Sequence, residues 1–191
     1  MKHIGIKLLT LVLTLSMIFI SGASASVMNT AWVTVPSSEW EETFLMVITA
    51  LEMHENPVFA VTEYPEYDPD YRFAHELKIN DFLKLTYYDN GDDVFNSAVL
   101  EIDLSYPEIP IEVAWGAIFA VLVSGDPDST DDQWIELISA ICPKFDEVLS
   151  GEERLSGAQA ATLNGIGYMM ELNDDARLAR FFANASVTTN N

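Results

Sequence analysis

Apolar positions recur along this chain with two different periods, and each change of period marks a change of predicted element. Trp40, Phe44, Val47, Ile48 and Leu51 follow the three-to-four spacing of one helix face. Ser38 with Glu41 three residues on has the form of a capping box. A helix is therefore predicted from Glu39 to Met53, stopping before Asn56-Pro57. Short strands are predicted around Ala31–Val35 and over Val58–Thr62.

The period then drops to two. Leu77 and Ile79 alternate with polar residues, and Leu83, Leu85 and Tyr87 share one face of the next run. Ala98, Leu100, Ile102 and Leu104 fall on one face, with Glu101 and Asp103 on the other. Asn90-Gly91, inside the acidic stretch Asp89–Asp93, is the dipeptide of a tight turn, so the two runs read as a half-buried antiparallel hairpin.

Ile111–Val123 carries one charge, Glu112, and reads as a buried central helix ended by Gly125. Its thirteen residues are too few for a bilayer span, which takes about twenty. Thr130 and Gln133 make a second capping box, with Asp131 and Asp132 in the first turn, where the helix dipole favours them. Trp134, Ile138, Ile141, Phe145 and Val148 line the face of that helix, which Pro143 is predicted to kink near Ser139 and Gly151 to end. Ala160–Leu172 is predicted as a strand with Ile166, Tyr168 and Met170 on one face, followed by a turn at Asn173–Asp175. Arg177–Ala185 fits a strand or a short helix, and Ser186–Asn191 is a polar tail. The order helix, strands, helices, strands predicts an α+β fold with helices packed on one face of an antiparallel sheet.

The N-terminus changes the picture of what folds. Lys2 and Lys7 precede the uncharged apolar run Leu8–Ile20, and Ser21–Ala25 is small-residue punctuation with an A-x-A pattern. This is the form of a secretory signal peptide over residues 1–25, cleaved after Ala25 and leaving a single acidic domain over residues 26–191. The one cysteine, Cys142, permits no internal disulfide, which favours a bacterial secreted protein, and it lies too far from the signal region to carry a lipid anchor.

Charge narrows the partners. The formal net charge is −21. Of nine basic residues, Lys2 and Lys7 leave with the signal, so seven face thirty acids. Nucleic acid is excluded, because phosphate binding needs basic groups to release counterions, and an anionic membrane is disfavoured after cleavage for the same reason. The expected partners are cationic: a basic protein, a cationic peptide, or calcium.

The catalytic motifs are few. His54-Glu55 and His75-Glu76 each lack a second histidine four residues on, where Val58 and Ile79 stand, so no zincin motif forms. Cys142 sits on an apolar helix face and reads as a small hydrophobe. Gly165 and Gly167 are followed by no third glycine or lysine of a phosphate loop. Asp126, Asp128 and Thr130 match the first three ligand positions of a calcium loop, but Asp131 stands at its glycine and Leu137 at its final glutamate. Helix capping accounts for the same residues. The best candidate contact surface is Tyr64, Tyr67 and Tyr71, alternating with Glu66, Asp68 and Asp70 around Pro65 and Pro69 in an exposed loop. The expected function is that of a secreted, non-catalytic binding module without a cofactor. The alternatives are a small secreted hydrolase using a carboxylate pair and a calcium-stabilised envelope protein.

Overall fold

The computed structural model describes residues 35–64 and 72–184. The predicted signal segment and polar tail lie outside these residues, as does all but Val35 of the predicted opening strand. Helix α1 (Ser37–Ala50) leads into a four-strand meander of β1 (Ala60–Glu63), β2 (Phe73–Lys78), β3 (Leu83–Asp89) and β4 (Phe95–Asp103). Helices α2 (Ile111–Gly125), α3 (Asp131–Ile141) and α4 (Phe145–Leu149) follow. A second meander, β5 (Gly157–Leu163), β6 (Ile166–Asn173) and β7 (Leu178–Asn184), completes the described chain. The strands form one seven-stranded sheet in the order β1-β2-β3-β4-β7-β6-β5, antiparallel throughout. The meanders meet at its centre, where Ser97–Asp103 of β4 pairs with Asn184–Leu178 of β7. The fold is the predicted α+β class, with the helices against one face.

The pleat decides which residues that face receives. Leu83, Leu85 and Tyr87 lie opposite Ile102, Leu100 and Ala98, which in turn lie opposite Ala179, Phe181 and Ala183, and all are buried. Trp40 of α1 sits on this layer, stacked on Phe44 at 5.4 Å and on Phe95 at 4.8 Å between ring centroids. Helix α2 is apolar nearly all round because α1 covers one side and the sheet centre the other. Gly116 allows that approach: a Cβ there would stand 3.1 Å from Leu51 Cδ1. Among the described residues no helix is long and apolar enough to cross a membrane.

Three local expectations are corrected by tertiary contacts or turn chemistry. The Ser38–Glu41 capping box does not form. Helix α1 starts at Ser37, behind Pro36, which offers no side-chain cap. Asp93, from the β3–β4 turn, caps it instead: its Oδ1 accepts from Ser38 N at 2.8 Å and Ser37 Oγ at 3.0 Å, and its Oδ2 from Ser38 Oγ at 3.0 Å. Glu41 accepts the Tyr87 hydroxyl. The Thr130–Gln133 box, by contrast, forms in both directions.

Pro143 breaks its helix where a kink was expected. Helix α3 ends at Ile141, Cys142 leaves the helical backbone at φ −152° and ψ 71°, and α4 starts at Phe145. Proline has no N–H to donate, and its ring drives the preceding residue out of helical backbone. Finally, Ala160–Leu172 is not one strand but most of a hairpin. It reverses at Asn164-Gly165, whose φ values of 49° and 86° are those of a two-residue turn. Arg177–Ala185, left open between strand and helix, supplies β7.

Candidate functional site

The second face of the sheet carries three cross-strand rows. The middle row is apolar over four strands, Ala160, Met169, Phe182 and Val99, and continues through Thr86 to Glu76 on β2. Beside it runs a charged row of Glu171, Arg180, Glu101 and Lys84, beginning at Ala158 on β5. On its other side lie Thr162, Gly167, Asn184, Ser97, Tyr88 and Ala74. A trough of about 920 Å³ opens over the middle and third rows, with Tyr64 at the β1 end. Val99, Met169 and Phe182 are half-buried, and no helix covers them among the described residues.

The trough is close to neutral in a strongly acidic chain. Glu76 is its one charged lining residue, and Lys84 Nζ donates to Glu76 Oε1 at 2.7 Å. Burial raises the Tyr88 hydroxyl above its ordinary value, so that ring stays protonated. The charged row is paired less completely, because Lys84 is taken by Glu76 and Arg180 is shared between two acids. Arg180 Nε donates to Glu101 Oε1 at 2.9 Å, and its Nη1 lies 3.5 Å from Glu171 Oε2. Such half-exposed pairs each contribute about 0–1 kcal/mol, so the row fixes charge placement more than stability. A cavity of this size with apolar walls and few polar groups suits a ligand's apolar side.

A second, smaller cleft of about 440 Å³ lies where α1 crosses β2 and β3. His75 is stacked on Tyr87 at 4.2 Å, with Nε2 2.9 Å from Asp89 Oδ2 and Nδ1 3.9 Å from Glu41 Oε2. The ring is turned so that neither nitrogen makes an aligned hydrogen bond, and the Asp89 contact is an electrostatic approach. Of the cleft's three hydroxyls, those of Ser37 and Ser38 donate to Asp93 and that of Tyr87 to Glu41, none of them to the imidazole. The cluster therefore stitches α1 to the sheet and presents no activated nucleophile.

The sequence-derived candidates are scattered. Tyr64 lines the trough, 41% exposed. Tyr67, Tyr71, Glu66, Asp68 and Asp70 lie outside the described residues. Asp126 is buried and accepts from Ser129 Oγ and from Asn164 Nδ2, the latter at 2.8 Å, clasping the α2–α3 turn to the β5–β6 hairpin. Thr130 is spent on the α3 cap and Asp128 is exposed. Among the described residues no three His, Cys, Asp or Glu side chains are grouped to hold a metal ion. Cys142 is 5% exposed, and burial pushes its thiol up to about 11, which leaves it a poor nucleophile.

Most of the trough escaped the sequence because its walls come from both meanders, and the β4–β7 pairing has no local signature. One signal was present. Phe181 and Phe182 are adjacent in β7, so both faces of that strand carry a large ring, unlike a strand with a solvated back. No protein family, no curated protein and no solved structure matches this chain.

Proposed function

We propose that this chain is a secreted, non-catalytic binding module, and that its contact surface is the open face of the sheet. The observation that carries the reading is the neutral trough walled by Tyr64, Tyr88, Val99, Met169 and Phe182. Half-buried apolar side chains gathered on one face are a binding feature, because scattered surface apolar residues do not make a continuous concave patch. The chain's net charge of −21 repels anionic ligands and draws a cationic one, so the partner is a basic protein or cationic peptide with an apolar side. Tyr64 contributes contact area at small entropic cost, as tyrosines do at interfaces.

The test uses Nile red, a neutral apolar fluorophore, titrated into residues 26–191 and into a Met169→Ser, Phe182→Ser variant. The parent is expected to bind one dye saturably. Losing two apolar contacts weakens binding about tenfold or more. Unchanged dye affinity in a variant that still melts cooperatively overturns the reading.

A further inference from the structure

The sheet has two edges, and they are built in opposite ways. β1 is a four-residue strand preceded by Pro57 and followed by Pro65, and its Glu63 is held by Arg72 at 2.6 Å. Short length, prolines and charge are the usual defences of a free edge. β5 has none of them. Its seven residues, Gly157–Leu163, contain no charge and no proline. It pairs with β6 in unbroken register from Gly157↔Leu172 to Leu163↔Ile166, without a bulge. Gly157–Ala160 and Thr162 are exposed.

The register shows which backbone groups are left over. In a hairpin with a two-residue turn, the residues flanking the turn form a hydrogen-bonded pair. Leu163 and Ile166 flank Asn164-Gly165, so Leu163, Ala161, Gln159 and Gly157 direct their N–H and C=O groups to β6. Ala158, Ala160 and Thr162 direct theirs outward. These three residues also begin the charged, middle and third rows of the open face.

From this juxtaposition we infer that β5 accepts an eighth strand: an extended basic segment of a partner protein that hydrogen-bonds to Ala158, Ala160 and Thr162 and continues the rows of the trough. The inference rests on the binding reading above. The rows specify the side chains. Opposite Ala160, an apolar residue lengthens the row of Met169, Phe182 and Val99. Opposite Ala158, a lysine or arginine can lie across the small alanine towards Glu171, whose Oε2 is held only at 3.5 Å by an Arg180 already bonded to Glu101. Main-chain bonds then provide attachment, and alternate side chains provide selectivity. A second copy of this chain is the poorer occupant, because it brings another net charge of −21 and no surplus of bases.

The probe is the capped peptide Ac-Thr-Val-Thr-Val-Thr-Lys-Thr-NH2, whose order sets valine opposite Ala160 and lysine opposite Ala158 when it pairs antiparallel, added to residues 26–191 while amide exchange is followed by NMR. Protection is expected at Ala158, Ala160 and Thr162. Ala160→Pro removes one outward donor and leaves the β5–β6 ladder intact, since proline is tolerated where an edge N–H faces solvent. It should weaken the peptide about tenfold or more while Nile red still binds. Glu171→Gln should weaken the lysine peptide and leave a glutamine-for-lysine version unaffected, a readout that does not depend on the proline variant folding. Equal peptide affinity in Ala160→Pro, or exchange protection absent from these amides, overturns the inference. If Nile red binds and the peptide does not, the edge proposal alone falls; if neither binds, the trough reading falls first. Dimerisation in light scattering that Ala160→Pro abolishes would assign the edge to a second copy and overturn the partner segment.

Discussion

Phe181 and Phe182 are consecutive residues of β7 that do opposite work. Phe181 points to the helices, is fully buried, and stacks on Tyr168 at 5.9 Å. Phe182 points to the open face, is half-buried, and sits between Val99 and Met169 in the trough. The covered face uses its apolar area to stabilise the fold, whereas the open face keeps apolar area in reach of solvent. The sharpest way to break this comparison is to truncate each ring in turn. Phe181→Ala should cost about 3–5 kcal/mol, the usual loss for a buried phenylalanine, read as a fall in the urea midpoint. Phe182→Ala should cost less than about 1 kcal/mol, because its ring already meets water and no sealed cavity forms. Equal losses would make the open face part of the core.

The same contrast explains how much was legible in the sequence. The covered face repeats one period strand after strand, so Leu83, Leu85 and Tyr87 and then Ala98, Leu100 and Ile102 announced themselves. Their packing is local in pattern even where it is distant in chain. The open face mixes charged and apolar rows, and its character depends on β4 lying beside β7, a pairing between residues some eighty positions apart. Glu101 and Asp103 correctly marked an outward face, but they hid Val99 two residues earlier. The two capping boxes teach a related point. Thr130 and Gln133 meet no competitor and bond each other. Glu41 has the Tyr87 hydroxyl available, and Asp93 arrives from another element to take over its capping role. The missed β5–β6 turn was different in kind: Asn164-Gly165 is the same dipeptide as Asn90-Gly91, so that signal was local and readable.

A second experiment sharpens the comparison from the covered side, where polar groups are held as tightly as rings. Asp89 is 6% exposed, with Gly91 N bonded to Oδ1 at 2.8 Å and His75 Nε2 against Oδ2 at 2.9 Å. His75→Leu leaves one buried carboxylate oxygen facing an alkyl group, so a loss of about 1–3 kcal/mol is expected. Adding Asp89→Asn removes the stranded charge and should recover part of that loss, which a double-mutant cycle in urea measures as a coupling. Strict additivity would mean that the close approach contributes nothing. Lys84 and Glu76, a pair of similar length on the open face but 43% exposed on both sides, should show almost no coupling in the same cycle.

A smaller effect than that of His75→Leu is expected at Asp93, where a single exposed carboxylate anchors α1 over the covered face. The Ser38 backbone N–H, then the Ser38 and Ser37 hydroxyls, hold its carboxyl below the usual carboxylate range. A group whose folded value is depressed contributes stability above its unfolded value, near 3.9 for aspartate, and loses it as pH falls through the lower folded value. Asp93→Asn keeps the shape and removes the charge that the helix N-terminus favours. The variant should therefore melt a few degrees below the parent at neutral pH, as loss of a helix cap does in a chain of this size. The gap should begin to close as pH falls below about 5, where the unfolded chain starts to protonate this carboxylate, and vanish below the depressed folded value, where the folded parent protonates it too. The parent must approach the variant, not the reverse: a gap that persists undiminished at low pH would show that the cap works through geometry without ionisation, and that α1 is seated by Trp40 and its rings alone.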